Sequence, residues 1–235
     1  MKAKNLLLTL AVGAMAMSCN TGSMNQTTAN LKTADDTASF YIGYMYGSGM
    51  ARMGMTKPDM AALIAGMNSA LQKKEMATDP QAMEMYLNNY FQELAMKKAN
   101  ENAEKGKKFL EENAKKAGVD TLANGIQYKI EKKGEGAKPT ATDKVKVHYK
   151  GTLIDGTEFD SSYKRDEPAE FFLNQVIPGW TTALQAMPVG SKWIIYIPSD
   201  QAYGQRGGGP IGPNETLIFE VELLDIVTPE AATAE

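Results

Sequence analysis

The sequence predicts an α+β protein: a helical N-terminal portion ending in one long helix, then an antiparallel sheet of five or six strands around a short helix. Three observations carry that expectation. Residues 36–118 keep apolar side chains at helical spacing, punctuated by Pro-containing cap sequences. From Ile126 the period drops to two, most cleanly in Lys144-Val145-Lys146-Val147-His148-Tyr149. Between the later strands, Val176-Ile177-Pro178-Gly179-Trp180 opens a short helix that continues through Ala183, Leu184 and Met187.

With 235 residues the chain has room for one or two domains and a real core. Its net charge of −3 and the lack of a Lys/Arg-rich block speak against nucleic acid as a partner. Residues 1–18 read as a targeting segment: Lys2 and Lys4 precede an apolar run, Leu6 to Met17, that is short for a bilayer span. Ala16-Met17-Ser18-Cys19 resembles the lipobox of bacterial lipoproteins, with Ala16 where leucine is usual. That resemblance implies a lipid on Cys19, a membrane anchor and a place in the bacterial cell envelope. An ordinary secretory leader with an incidental cysteine is the alternative. Cys19 is the only cysteine, so the exported body folds without an intramolecular disulfide. Residues 19–35, rich in Thr, Ser and Asn, read as a flexible tether.

Helix starts are expected at Thr56-Lys57-Pro58-Asp59 and Thr78-Asp79-Pro80-Gln81, with the threonine hydroxyls as N-caps. A first helix near 38–53 carries Gly43, Gly47 and Ala51 four residues apart, a stripe that would let another helix approach closely. Ten of the fifteen methionines fall between Met45 and Met96. At helical spacing, with no His or Cys among them, they suit a core or subunit interface better than a metal site. The third run, 80–116, has an apolar stripe of Met83, Leu87, Tyr90, Phe91 and Leu94, then mostly Lys, Glu and Asn. It reads as a solvated connector of roughly 50 Å, stopped at Gly118.

In the second half, alternation places Val145, Val147 and Tyr149 on one face of a strand and the sole histidine, His148, on the solvent face. Asp155-Gly156 marks a hairpin turn. Leu217, Phe219, Val221 and Leu223 alternate inward against Glu220 and Glu222, and residues 229–235 read as a frayed tail.

Several blocks then occur in a fixed order. They are Val147-His148-Tyr149-Lys150-Gly151, Asp155-Gly156-Thr157, Phe159-Asp160-Ser161-Ser162, Val176 to Trp180, Ala202-Tyr203-Gly204, and Leu217-Ile218-Phe219. From about Gly125 to Val227 the chain closely resembles the FKBP-type peptidyl-prolyl cis/trans isomerases. The helical portion is similar to the dimerisation domain and stalk helix of envelope members of that family, the macrophage infectivity potentiator type. The resemblance implies a helical dimerisation domain and stalk over 36–118, an isomerase domain over 121–228, and a homodimer formed through the helices. It also implies an aromatic pocket. Tyr149, Phe159, Asp160, Ile177, Trp180, Tyr203 and Phe219 match catalytic positions, and Phe171, Val176 and Ile211 match substrate-binding positions. Trp180 would underlie a proline ring, the Ile177 N–H and the Tyr203 hydroxyl would bond substrate carbonyls, and Asp160 would be held by Tyr149 near the twisting amide. Ala169 stands where the family often has an aromatic, and Gln205 to Gly209 lacks the histidine of many eukaryotic members.

No nucleophile or metal cluster is legible, and neither metal nor cofactor is expected. Such a pocket suits a reaction that breaks no covalent bond. Rotation about a peptide C–N bond faces about 18–20 kcal/mol because resonance is lost. Binding the twisted amide better than the planar one by about 5 kcal/mol speeds rotation by a thousand- to ten-thousandfold. The expected partners are unfolded or proline-containing exported proteins. The alternative is a dimeric envelope chaperone or scaffold that binds such segments with little catalysis.

Overall fold

The computed structural model describes residues 31–76 and 78–227. Residues 1–18, Cys19, most of the expected tether and the tail 229–235 lie outside the described residues. Compactness divides the chain after Gly47.

The described residues before that point form the first part of helix α1 (Ala34–Arg52). Its start is a reciprocal cap. The Asp36 N–H donates to the Thr33 hydroxyl at 3.0 Å, and the Asp36 carboxylate accepts from the Thr33 N–H at 3.0 Å. The helix thus begins two residues inside the expected tether. Phe40, Tyr41, Tyr44, Met45 and Tyr46 are all exposed, and open space surrounds Gly43 and Gly47.

From Ser48 onward come α2 (Met60–Leu71) and α3 (Pro80–Asn113). α2 starts three residues later, and α3 one residue later, than the hydroxyl reading expects. Asp59 caps α2, accepting from the Ala61 and Ala62 N–H groups, and Asp79 caps α3, accepting from Ala82 N–H. Pro80 takes the first helical position, where its missing N–H costs nothing, whereas Pro58 stays outside the helix. An aspartate carboxylate next to the first turn is the stronger acceptor, and its charge opposes the helix dipole favourably. Asp59 and Asp79 therefore displace Thr56 and Thr78.

The end of α3 corrects the reading of a solvated connector. The helix stops at Asn113; Asn102 and Gly106 are buried against the loop residues 213–216, and Asn113 is buried against Gln127 of the sheet. Asn113 donates to Gln127 Oε1 at 2.9 Å, Gln127 donates back to the Leu110 carbonyl at 2.9 Å, and Phe109 packs on Tyr196 at 5.9 Å. The buried face is polar, so it carries no hydropathy signal. Gly118, at φ +78°, turns the chain after the helix instead of ending it.

The sheet has seven strands, not five or six. They are β1 (Val119–Thr121), β2 (Gln127–Lys132), β3 (Lys144–Leu153), β4 (Glu158–Ser161), β5 (Ala169–Phe172), β6 (Lys192–Ile197) and β7 (Leu217–Val227). The order is β1-β2-β6-β7-β3-β4, antiparallel throughout, with β5 also on β3. β1 is too short to show alternation, which is why the sequence reading undercounts. The short helix α4 (Pro178–Ala186) lies on the concave side. There Val145, Val147, Leu173, Leu184, Met187, Ile195, Leu217, Val221 and Leu223 are fully buried. The alternation in β3 holds: its outward side chains include Lys144 and Lys150, paired with Glu170 and Glu220 at 2.7 and 2.6 Å. His148 shares that face but is half-buried, stacked on Tyr163 at 4.8 Å and bonded through Nδ1 to the Ser162 hydroxyl at 3.1 Å.

The buried end of α3 has a measurable consequence. A fragment of residues 98–227 is expected to be more stable than one of 121–227 by about 2–4 kcal/mol, the worth of a few buried hydrogen bonds and the cover on Tyr196. Denaturant midpoints check this, and equal midpoints would contradict the packing described.

Candidate active site

The register of β3 builds the site. Val145 pairs with Phe171 on β5, Tyr149 with Val221 on β7, and Gly151 with both Phe219 on β7 and Asp160 on β4. One strand therefore brings Tyr149, Asp160, Phe171 and Phe219 to one end of the concave face. Gly151 is required by the packing. A Cβ there would lie 2.6 Å from the Phe159 ring and 2.9 Å from Phe219, so any other residue would push the two rings apart. With glycine they meet edge to face, 5.5 Å apart at 85°.

Trp180, in the first turn of α4, is 4 % exposed and forms the floor. The rings of Tyr149, Phe171 and Phe219 stand nearly perpendicular to it, with centroids 5.2, 5.6 and 5.3 Å away. Pro178 and Gly179 start the helix on the spot: Ile177 caps it, its carbonyl accepting from Trp180 N–H at 2.9 Å and Thr181 N–H at 3.2 Å. The Ile177 N–H itself donates to no acceptor among the described residues. It thus remains a free donor beside the floor.

Above this floor is a cavity of about 540 Å³. All ten pocket positions named from the sequence line it: Tyr149, Phe159, Asp160, Phe171, Val176, Ile177, Trp180, Tyr203, Ile211 and Phe219. Gln175, Gly208 and Pro210 complete the lining. Ala169 is half-buried against the core, and Phe171 supplies the aromatic edge at that side.

The cavity's polar corner is more elaborate than the sequence suggests. Tyr149 donates its hydroxyl to Asp160 Oδ2, and the Ser161 N–H donates to Asp160 Oδ1 at 2.8 Å. Arg165, which the sequence reading missed, adds Nη1 to Asp160 Oδ1 at 2.7 Å and Nη2 to the Tyr149 hydroxyl at 3.0 Å. Its guanidinium also lies over the Tyr149 ring at 5.8 Å. Arg165 sits in a one-turn 3₁₀ segment, Tyr163–Arg165, where no periodicity marks it. Burial pushes the Asp160 carboxyl up, but the hydrogen bonds from Tyr149 and Arg165 outweigh it and hold Asp160 below its ordinary value of 3.8. Burial, reinforced by the neighbouring Asp160, pushes the Tyr149 phenol above its ordinary value of 10.0.

The comparisons with known proteins bear on this geometry. Residues 135–224 match the family model of FKBP-type peptidyl-prolyl cis-trans isomerases, and residues 35–130 match that of the domain amino terminal to such isomerases. The chain belongs to the FKBP-type peptidyl-prolyl cis-trans isomerase family. Among curated FKBP-type relatives, a 22 kDa isomerase of Escherichia coli is 45% identical over 205 residues, covering 86% of this chain and all of that one. FkpA of Aeromonas hydrophila is also 45% identical, covering 86% of this chain and 80% of its own. The outer membrane protein MIP of Legionella longbeachae is 43% identical over 95% of this chain and 98% of its own. The crystal structure of FkpA from Escherichia coli aligns with a TM-score of 0.65 at 40% identity, over 83% of this chain and 97% of that one. This FKBP-type enzyme catalyses cis/trans isomerisation of peptidyl-prolyl bonds.

Asp160, depressed, is ionised at any pH well above 3.8; its pairing is lost only as pH falls through that lowered pKa. Tyr149, raised, keeps its donor proton beyond pH 10.0. kcat/KM on an X-Pro peptide should therefore stay flat between about pH 6 and 8. Phe159→Ala and Asp160→Ala should each lower it about tenfold, a loss of about 1.4 kcal/mol in transition-state binding. His148→Ala, on the opposite face, should leave it unchanged. A bell-shaped profile that disappears in His148→Ala would contradict this assignment.

Proposed function

We propose that this isomerase assists the folding of exported proteins by binding X-Pro amides in the aromatic cavity and favouring the twisted over the planar amide. The observation that carries the reading is the perpendicular packing of Tyr149, Phe171 and Phe219 around Trp180, which makes a floor for a proline ring. In this reading Phe159, Val176, Ile211 and Phe219 are apolar walls. The unpaired Ile177 N–H and the half-exposed Tyr203 hydroxyl take substrate carbonyls. Asp160, fixed by Tyr149, Ser161 and Arg165, faces the twisting amide without accepting a proton. A planar amide is more charge-separated than a twisted one, so a dry pocket disfavours the ground state more than the transition state.

The proposal assigns residues 1–18 to a lipoprotein signal, 19–33 to a tether from a lipid on Cys19, the helices from Ala34 onward to a dimerisation domain whose third helix ends packed on the isomerase domain, and 121–228 to the isomerase. What supports the homodimer is α1 and α2. Tyr44, Met45 and Tyr46 on the one, and Met60, Ile64, Met67 and Leu71 on the other, expose apolar surface that a second copy would cover. The envelope location is supported by the leader sequence and by the outer-membrane name of the Legionella relative.

The test uses the mature chain without its leader, as wild type and as Tyr44→Glu/Met45→Glu. The wild type should be a dimer by light scattering and should accelerate a proline-limited refolding reaction. The variant should be monomeric and keep the wild-type rate on a short peptide. It should be several-fold slower on the refolding protein, because two linked pockets raise the effective concentration of client prolines. In cells, Cys19→Ala should release the protein from the membrane fraction. A monomeric wild type, or equal refolding rates for both forms, would remove the dimeric part of the proposal. Unchanged membrane association of Cys19→Ala would remove the anchor.

A further inference from the structure

One wall of the cavity is made by a loop anchored in the core through Ile211. Gly208, Pro210 and Ile211 face the cavity from a segment between the 3₁₀ turn Gly204–Arg206 and β7. Gly208 and Ile211 exchange backbone hydrogen bonds at 2.9 Å, and Asn214 N–H closes the base on the Gly204 carbonyl at 2.8 Å. The far side of that base rests on α3. Asn102, 3 % exposed, uses both protons of its amide there, one to the Pro213 carbonyl and one to Glu215 Oε1, each at 2.8 Å. Asn214 returns a bond to the Ala99 carbonyl at 3.2 Å. One turn further along the helix, buried Gly106 presses directly on Thr216; a Cβ there would overlap Thr216 Oγ1 and lie 3.2 Å from Thr216 Cβ.

We propose that the end of α3 is a brace for the active site, with Asn102 and Gly106 as positioning residues that hold the loop so that Pro210 and Ile211 stand at the correct distance over Trp180. The two contacts divide the work. Asn102 fixes the loop base in register through directed bonds, and Gly106 sets how closely helix and loop approach. Neither residue touches the cavity, so both act through the loop. Burying an asparagine whose donors are fully satisfied favours one docking geometry over sliding alternatives, since any shift leaves an amide unpaired. A loose loop would widen the pocket and weaken the grip on the substrate, which raises KM more than it lowers kcat.

The inference rests on this cavity being the isomerase site, so the test pairs activity with a readout that does not depend on it. In the full-length mature protein, Asn102→Ala and Gly106→Ala are each measured for kcat and KM on an X-Pro peptide. Amide hydrogen exchange at Gly208 and Ile211 is followed in the same samples. Asn102→Ala should raise KM about three- to tenfold with kcat within about twofold, and should speed exchange at both amides. Gly106→Ala should do the same more strongly, and adding Thr216→Ala should recover much of the loss because it removes the overlapping oxygen. Should Gly106→Ala not fold, Asn102→Ala, which adds no atom, carries the test alone. Wild-type KM in Asn102→Ala, or a loss of activity with exchange at Gly208 and Ile211 unchanged, would overturn the brace. An inactive wild type with fast loop exchange only in the variants would instead overturn the reading of the cavity and leave the brace standing.

Discussion

Trp180 meets three perpendicular rings at once, and most of the catalytic half is arranged to permit that packing. Tyr149, Phe171 and Phe219 come from three different strands, so their positions depend on the register of β3 with β5 and β7. A slip of one residue would turn Tyr149 to the charged outer face and bring His148 or Lys150 inward. Gly151 removes the side chain that would separate Phe159 from Phe219, and Pro178-Gly179 places the indole at the very start of α4. Each ring pair contributes about 0.5–1.5 kcal/mol beyond simple burial. Their larger effect is geometric: rings packed edge to face cannot collapse into the cavity they line.

That rigidity suits a reaction in which no bond is made or broken. The cavity supplies shape, dryness and a few fixed polar atoms, with a carboxylate whose three donors leave it no freedom to swing. A carboxylate held ionised and a phenol held protonated form a static dipole at the rim, not a proton relay. The preorganised environment replaces solvent that would otherwise stabilise the planar, charge-separated amide.

Much of this was legible from residues alone because strand alternation and ordered motifs leave strong marks. The inward series Val145, Val147, Tyr149 and the matching series Leu217, Phe219, Val221, Leu223 define the sheet's concave face, and the ten pocket positions fall together as their order implies. What escaped notice lacks periodicity or contrasts with hydropathy. Arg165 is one exposed cation in a turn, indistinguishable in sequence from Lys164, which instead pairs with Glu158. The buried face of α3 is Asn102, Gly106 and Asn113, residues that read as solvated although they recur four and seven positions apart. A search for small and amide residues at helical spacing would have found that stripe. The caps Asp59 and Asp79 are masked in the sequence by Thr56 and Thr78, which offer competing hydroxyl caps just upstream.

The central claim is that the twisted amide is stabilised without proton transfer by any group of the protein. The most direct measurement is the solvent isotope effect on kcat/KM for an X-Pro peptide, compared in H₂O and D₂O on the mature enzyme. A ratio close to 1 is the predicted result, since no proton is in flight at the transition state. A ratio of about 2 or more would contradict it and require a general acid or base in the pocket.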